Sequence, residues 1–197
     1  WITNINNCFE TDIVFIEDLV NSFQTISGQD YIGSLDGTTQ YWVNGRLESL
    51  SIGEWDDDRI IKQLPNSIGN LTQLKSLVLW SYISGDIPEE LGNLTNLELF
   101  EIVWTQIGCY EYDYECDPDG LDNECCIIHC NDTDQCNGEI PSEIGNLVNL
   151  TYLNLCCTQL SGEIPSEFWN LVNLTNFSLG GNQLTGGIST EIDNLVN

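Results

Sequence analysis

Leucines recur along this chain at a nearly fixed interval. Leu71 and Leu94 are 23 residues apart, and Leu147, Leu171 and Leu195 follow one another at 24 residues. Each of these leucines stands directly after an asparagine and before a threonine or valine. A period of this size indicates a solenoid, in which each unit buries its apolar face only against its neighbours.

Within each unit, two apolar residues separated by one position predict a short strand that turns both side chains inward. The five pairs are Leu50/Ile52, Leu77/Leu79, Phe100/Ile102, Leu153/Leu155 and Phe177/Leu179. Gly-x-Ile-Pro follows three of these pairs, at 85–88, 138–141 and 162–165. Because proline fixes φ, it favours a short helical or 3₁₀ turn on the opposite side of the unit.

The segment 147–165 has the pattern Leu-x-x-Leu-x-x-Leu-x-Leu-x-x-x-x-Leu-Ser-Gly-Glu-Ile-Pro. This pattern resembles the plant-type leucine-rich repeat, a family that includes receptor-kinase ectodomains and polygalacturonase-inhibiting proteins. The resemblance covers about 46–197 with one interruption. It implies an α/β solenoid, a right-handed superhelix with a short parallel sheet on its concave side.

Residues 1–46 do not repeat, and we interpret them as an N-terminal cap, because an uncovered solenoid end would expose core. Apolar residues at helical spacing predict an amphipathic helix from Glu10 to Thr25, with Thr11 as N-cap. The expected inward residues of this helix are Ile13, Ile16, Leu19, Val20 and Phe23. Residues 41–43 are expected to form a short strand.

The resemblance extends to this cap, where a helix is followed by Trp42 and by Gly-Arg-Leu at 45–47. The cap departs from the family in one respect: the family places a cysteine pair near that tryptophan, and here only Cys8 precedes the repeats. The rest of the chain is divided into repeats one to three at 47–107, an acidic Cys-rich insertion at 108–137, and continuing repeats at 138–197 with no C-terminal cap.

The family's ladder asparagine, placed after the strand, occurs here only as Asn182. Thr158 and Thr105 occupy the matching positions, and the second repeat is one residue short there. Because a threonine hydroxyl also hydrogen-bonds to backbone groups, we expect a weakened ladder rather than a broken one.

The insertion holds thirty residues where the family has one. Disulfides lower the entropic cost of such a long loop, so we expect up to four bridges, with the pairing left open. The eight cysteines concerned are Cys109, Cys116, Cys125, Cys126, Cys130, Cys136, Cys156 and Cys157. Cys8 is left over, and we expect it to be a free thiol or to bridge to another chain.

Two metal sites are alternatives to simple stapling of the insertion. Four carboxylates alternate around a Gly turn, as they do in calcium loops, although the twelve-residue EF-hand register is missing. These candidate ligands are Asp117, Asp119, Asp122 and Glu124, and the competing interpretation is a solvated acidic loop. The segment 125–130 combines three cysteines with His129 in a zinc-like pattern, but disulfides are favoured in an oxidising compartment. No cofactor is required.

The charge balance excludes several classes of partner. The chain has 31 acidic and 4 basic residues, a net charge of −27. Such a surface repels nucleic acid and anionic lipid, and it attracts cations. No apolar run is long enough to cross a membrane. The chain begins at Trp1 and contains no Met, as expected of a secreted protein after signal-peptide removal or of a fragment.

Six Asn-x-Ser/Thr sequons and nine cysteines favour an extracellular, secreted or cell-surface glycoprotein. The sequon asparagines are Asn70, Asn93, Asn131, Asn149, Asn173 and Asn176. Several recur with the repeat, so we expect glycans to line one flank of the solenoid. The competing interpretation is that Gly-Asn-Leu is the turn sequence of the repeat and that some sequons stay bare.

Three aromatic residues on the expected concave strands are candidate ligand-binding residues. Trp80, Trp104 and Tyr152 would form a patch for stacking sugars or binding a protein. The alternative is a satellite core under the insertion. No nucleophile motif, phosphate loop or second histidine is present, so we expect no enzyme.

The last residues, 193–197, repeat the start of another unit. Either the protein continues, or the end of one copy docks on the cap of the next, head to tail, as in a filament. Two functions therefore compete. One is a structural protein that self-assembles into a glycan-coated extracellular fibre; the other is a recognition ectodomain or secreted inhibitor that binds a protein, peptide or glycan.

Overall fold

The structure, a computed structural model, describes residues 10–25, 38–53, 59–61, 63–80, 82–103, 105–112, 125–133 and 136–195. Its helix α1 spans Glu10–Ser22. Its strands are β1 (Phe23–Thr25), β2 (Thr38–Val43), β3 (Arg46–Ile52), β4 (Arg59–Ile61), β5 (Ser76–Leu79), β6 (Tyr82–Gly85), β7 (Leu99–Ile102), β8 (Gln106–Ile107), β9 (Cys109–Tyr112), β10 (Cys126–His129), β11 (Tyr152–Asn154) and β12 (Asn176–Ser178).

Strands from successive repeats form the main sheet, in the order β12-β11-β7-β5-β3-β2. β3, β5, β7, β11 and β12 are parallel, and β2 closes the edge antiparallel to β3. The predicted inward pairs are confirmed: both members are buried in the first four pairs. In the last pair Phe177 is 42% exposed, because no further described strand covers it.

Five 3₁₀ helices lie on the other side of the core. They span Asn66–Asn70, Glu89–Asn93, Ser142–Asn146, Ser166–Asn170 and Thr190–Asn194. A proline precedes each of the first four: in the second to fourth it belongs to the Gly-x-Ile-Pro pattern, as predicted, and in the first it is Pro65 after Leu64. In the fifth, Ser189 replaces proline, and its hydroxyl accepts a hydrogen bond of 3.1 Å from the N–H of Glu191. The solenoid fold is thus present, and the right-handed superhelix stays a prediction.

A second, narrower sheet follows the main one, in the order β1-β4-β6-β8. Its first strand corrects two predictions about the cap. Helix α1 ends at Ser22 instead of Thr25, because Phe23–Thr25 pairs antiparallel with β4 and the Ser22 hydroxyl donates to the Leu19 carbonyl at 2.7 Å. The helix also begins at Glu10, so Thr11 lies inside its first turn and is not the N-cap.

Helix α1 is anchored by a buried carboxylate that the apolar pattern does not reveal. Asp12 is fully buried and accepts hydrogen bonds from Arg46 Nε at 3.0 and 3.1 Å and from the Leu47 N–H at 2.8 Å. Phe15 is buried as well, whereas the expected inward residues Ile13 and Val20 are only half-buried. The expected strand at 41–43 forms the second half of β2.

One continuous core of leucine, isoleucine and phenylalanine runs from α1 to the last described repeat. Each repeat contributes its strand pair and the apolar residue of its 3₁₀ helix, such as Ile68 or Ile144. Within the described ranges, no helix has the length and apolar character needed to span a bilayer. The core therefore consists of small equal layers, and each layer depends on its neighbours for burial.

Candidate functional site

The outer face of the main sheet, opposite the buried pairs, presents side chains in rows that run across the strands. Strand register defines four rows. The first row is Glu48, Lys75, Glu98, Thr151 and Thr175, and the second is Ser49, Ser76, Leu99, Tyr152 and Asn176. The third row is Ser51, Val78, Glu101, Asn154 and Ser178. The fourth row is Gly53, Trp80, Val103, Cys156 and Gly180. Neighbours within a row are separated by one strand spacing, about 4.8 Å.

Charge on this outer face is predominantly negative. Lys75 Nζ forms a 2.8 Å ion pair with Glu48 Oε2, and this hydrogen bond raises the pKa of Lys75 above its usual value. Glu98 is exposed, and Glu101 is half-buried and accepts a 3.4 Å hydrogen bond from Asn154 Nδ2. Since the one lysine in these rows is paired, the face favours a cationic ligand over an anionic one.

The structure places two members of the predicted aromatic patch in different rows. Trp80 lies in the fourth row and is 43% exposed. Tyr152 lies in the second row and is half-buried, with β7 between its strand and that of Trp80. The two are therefore about 13 Å apart along the strands and about 10 Å apart across them. Trp104 lies outside the described residues.

Within the insertion, β9 and β10 pair as an antiparallel hairpin, and a disulfide links the two strands. Cys109 pairs with Cys126, and Cys130 pairs with Cys136. Cys125 is also disulfide-bonded, and its partner lies outside the described residues. The zinc alternative at 125–130 is thus wrong, because its three cysteines are oxidised and a disulfide sulfur has no thiolate to offer the metal.

Both ends of the insertion lie at one point on the second sheet. A Cβ placed on Gly138 would lie 3.6 Å from the Gly108 Cα, and the Cys130 N–H donates to the Gly108 carbonyl at 2.9 Å. The hairpin then reaches along the solenoid, where His129 Nδ1 lies 3.3 Å from Gln183 Nε2 in the last repeat. The insertion is therefore a side branch that leaves the order of the repeats intact.

Cys156 and Cys157 form a disulfide with each other instead of bridging to the insertion. Cys157 adopts the left-handed conformation, with φ 60°, and Gly181 takes φ 69° at the same position one repeat later. The repeat itself therefore imposes this backbone turn, which brings two adjacent side chains to one side of the chain. The cysteine pair lies at the carboxyl end of β11, beside the fourth row.

Several predicted site residues lie outside the described residues: Cys8, Cys116 and the four candidate calcium ligands Asp117, Asp119, Asp122 and Glu124. Within the part of the chain that the structure describes, no three His, Cys, Asp or Glu side chains are grouped so that they could hold a metal ion. The calcium site therefore stays a prediction.

The sequons lie at different distances from the outer face. Asn70 and Asn93 are exposed at the ends of their 3₁₀ helices, Asn149 and Asn173 line a cavity with first-row residues such as Thr151, and Asn176 is exposed on the second row. Asn149 Nδ2 donates to the Thr95 carbonyl at 2.7 Å, and Asn173 Nδ2 donates to the Val148 carbonyl at 2.8 Å. These two asparagines therefore also link neighbouring repeats. The side chain of Asn131 lies outside the described residues.

The ladder residue Asn182 connects two repeats through several hydrogen bonds. Its Nδ2 donates to the carbonyls of Leu155 at 2.6 Å and Leu179 at 3.0 Å, and its Oδ1 accepts from the Leu160 N–H at 3.2 Å. The Thr158 hydroxyl donates to the same oxygen. Thr105 accepts a 3.4 Å hydrogen bond from the Ile107 N–H. Thr158 therefore joins the contact between repeats through Asn182, whereas this Thr105 hydrogen bond stays within its own repeat. The weakened ladder stays a prediction.

Comparison with known proteins supports the repeat pattern. The family model described as Leucine Rich Repeat matches residues 149–171 and 173–195. No curated protein sequence matches the chain.

Several solved structures share the fold. The plant peptide hormone receptor RGFR1 in complex with RGF2 is 30% identical over 68% of this chain and 17% of its own, with a TM-score of 0.52. The Arabidopsis thaliana ectodomain of GASSHO1/SCHENGEN3, in complex with CASPARIAN STRIP INTEGRITY FACTOR 2, is 26% identical over 68% of this chain and 13% of its own, with a TM-score of 0.51. The chain therefore spans less than a fifth of these two receptors.

A smaller structure matches over most of both chains. The BIR3–SERK2 complex from Arabidopsis thaliana has a TM-score of 0.63 at 23% identity, covering 92% of this chain and 87% of its own. At this identity the likeness concerns the fold alone. It extends the agreement from the repeats to most of the described chain.

Proposed function

Since the chain is a leucine-rich-repeat protein of the plant type, we propose that it is a non-catalytic, extracellular recognition module that binds a protein or peptide segment on the outer face of its main sheet. The observation that carries the proposal is the face itself, on which parallel rows of accessible side chains lie over one continuous apolar core. Its second and third rows hold hydroxyl, amide, carboxylate and apolar groups that are half-buried or exposed. Such a mixture suits an extended chain with both polar and apolar side chains.

The charge of the face specifies the kind of segment. With Lys75 paired to Glu48, Glu98 and Glu101 attract basic residues, and the net charge of −27 repels acidic partners at longer range. Receptors with the same fold are recorded with peptide hormones or with partner receptors bound, which supports the proposal. The disulfides of the insertion support an extracellular location.

An engineered N-glycan, called here a glycan wedge, tests whether the outer face binds ligand, because the attached sugar blocks the surface on which it stands. Ser49→Asn creates a sequon on the second row, and Val148→Thr creates one at Asn146, on a different surface. Both variants of the full chain are produced in a glycosylating host. Random dodecapeptides displayed on phage are then selected on the unmodified protein, and we expect enrichment of basic peptides.

Binding of the enriched peptides should be lost on Ser49→Asn and kept on Val148→Thr. Mass spectrometry of both variants checks that each wedge carries its glycan, and it reports at the same time which natural sequons are occupied. Peptides that bind equally to both wedge variants would contradict the proposal, since they would use some other surface.

The last described repeat motivates a second function, end-to-end self-assembly into a glycan-coated fibre. Its outermost apolar side chains are unusually open, with Phe177 42% and Ile188 73% exposed. β12 is one edge of the main sheet and β2 is the other, so the β2 end of a second copy is the partner this end would take.

Light scattering on the full natural chain tests the assembly. We expect species larger than a monomer, which Ile188→Asp dissolves and the matched surface change Val172→Asp leaves intact. A monomer at every concentration, with and without calcium, would remove this second function.

A further inference from the structure

We infer that the carboxyl ends of the main-sheet strands form a binding site for a linear amino-sugar oligosaccharide, in addition to the proposed recognition of a protein segment. The site is the apolar strip, defined as Trp80, Val103, the Cys156–Cys157 disulfide and Gly180. The inference rests on the proposal that the outer face is a recognition surface, and it assigns a ligand to one part of that face.

The apolar strip carries no charged, hydroxyl or amide side chain, and its one strong hydrogen-bonding group is the Trp80 indole N–H. The Trp80 backbone N–H bonds to the Ile52 carbonyl and the Val103 N–H to the Leu79 carbonyl, which continues the strand register into the fourth row. Trp80 is 43% exposed, whereas Val103 beside it is only 8% exposed. The tryptophan therefore supplies the accessible stacking surface of the strip, and Val103 is a buried neighbour beside it.

The Cys156–Cys157 disulfide and Gly180 form the other end of the strip. Cys156 and Cys157 are half-buried, and a disulfide is a polarisable, apolar group. Gly180 is exposed, and no heavy atom lies within 4 Å of the position that a Cβ would take there. From Trp80 to Gly180 the strip crosses four strands, a length of about 14 Å.

A polar row runs parallel to the apolar strip at a distance of two residues, about 6.6 Å. This third row carries Glu101, Asn154 and Ser178 beside the disulfide end of the strip. A pyranose ring is itself amphipathic: its C–H face is apolar, and its edge carries hydroxyl groups. One ring therefore spans both rows, with its face against the strip and its hydroxyls within reach of the carboxylate and amide.

The repeat distances favour a sugar chain over a peptide along this strip. Neighbouring strands lie about 4.8 Å apart, whereas an extended peptide advances by about 3.3 Å per residue, so successive amino acids do not stay in register with successive strands. A pyranose ring with its glycosidic oxygen is longer than one amino-acid residue and matches the strand spacing more nearly. β5, β7 and β11 are paired on both sides within the sheet, so along these three strands the strip offers a peptide no backbone partners.

Charge selects among sugar chains. Glu101 lies in the polar row beside the strip, and Glu98 is exposed in the first row, directly before β7. The chain carries a net charge of −27. A protonated amino group on the sugar is attracted, and a uronic acid is repelled. The ligand that fits is therefore a linear, β-linked glucosamine chain, with neutral glucose chains weaker and galacturonate chains excluded.

Titration calorimetry on the full oxidised chain tests the site, with the glucosamine hexamer at about pH 6 as the probe, so that its amino groups are charged. Trp80→Ala should weaken binding by about tenfold or more. Tyr41→Ala is the matched control, because Tyr41 is 62% exposed on the same sheet but outside the strip, and it should change nothing. Glu101→Gln should weaken binding at low salt, and at about 0.5 M salt this difference should shrink.

The disulfide is tested by replacing Cys156 and Cys157 with glycine, which is the pair found at the same positions one repeat later, at 180–181. Because Gly181 already adopts the backbone angle of Cys157, this variant should fold and yet bind the hexamer several-fold more weakly.

Three outcomes would overturn the inference: no binding of the hexamer by folded protein, equal binding of a galacturonate hexamer, or equal Trp80-dependent binding of hexalysine, which would make the strip a peptide site. If the hexamer does not bind but the enriched dodecapeptides still lose binding on the Ser49→Asn variant, the sugar site is refuted and the proposed function stands. Loss of wedge sensitivity with intact hexamer binding would remove the proposed function and keep the sugar site.

Discussion

The buried carboxylate of Asp12 allows one prediction to be worked out in detail. Replacement by alanine removes the carboxylate that pairs with Arg46 and leaves the Leu47 N–H, which donates to Asp12 at 2.8 Å, without that acceptor. An unsatisfied buried N–H costs about 1–3 kcal/mol, and breaking a buried ion pair costs about 3–5 kcal/mol.

The expected total lies near the lower end of these values. Arg46 is 20% exposed, so water solvates part of its charge, and its guanidinium keeps a 3.1 Å hydrogen bond to Thr72 Oγ1. We therefore expect Asp12→Ala to lower the free energy of unfolding by about 3 kcal/mol, or the melting temperature by about 6–12 °C. Asp12→Asn keeps an acceptor for Leu47 and should lose about half as much.

Urea unfolding of the oxidised protein measures the total loss. Because solenoids lose cooperativity, amide hydrogen exchange in α1 measures the loss at the cap itself, where we expect exchange to accelerate by about a hundredfold. A double-mutant cycle with Arg46→Gln isolates the pair. Glu48→Gln, which breaks the exposed pair with Lys75, is the control and should cost less. A loss below about 1 kcal/mol for Asp12→Ala, or no coupling to Arg46, would refute the reasoning.

Three further predictions follow from the repeats. Deleting 109–137 and joining Gly108 directly to Gly138 should leave the circular dichroism spectrum and repeat-specific exchange protection intact, because the two ends already meet; loss of the folded spectrum would contradict this. Asn182→Ala should lower the free energy of unfolding in urea by about 2 kcal/mol, because the Leu160 N–H and the Leu155 carbonyl lose their hydrogen bonds to the asparagine. An unchanged midpoint would show the ladder to be dispensable. Gly145→Ala should cost about 1–3 kcal/mol, since its Cβ would lie 2.4 Å from the Glu167 carbonyl oxygen, whereas Gly187→Ala, with open space around it, should be neutral; equal midpoints would refute this packing argument.

The repeat and its buried pairs were predictable because they are local and periodic. A pair such as Leu77/Leu79 specifies strand and inward face at once, and the Pro of Gly-x-Ile-Pro specifies where the 3₁₀ helix starts. The end of α1 was not predictable in this way. Phe23 continues the helical spacing, but Phe23–Thr25 pairs with β4, a segment more than thirty residues away.

The candidate site shows the same division. Sequence spacing placed Trp80 and Tyr152 on strands, but only the register showed them to lie in different rows. The number of cysteines predicted disulfides in the insertion. The pairing of Cys156 with Cys157, in contrast, depends on a backbone turn that the repeat imposes. The zinc alternative failed for a related reason, since the oxidation of its cysteines depends on which sulfurs the fold brings together.

By itself, the sequence determined the solenoid, its period, the inward leucines, the acidic surface and the position of the insertion, because each of these follows from neighbouring residues in one unit. The tertiary structure alone decided the anchoring of α1 by Asp12, the partners of the cysteines and the rows of the outer face. These features join residues from different units, and their energies depend on distances that no local pattern contains.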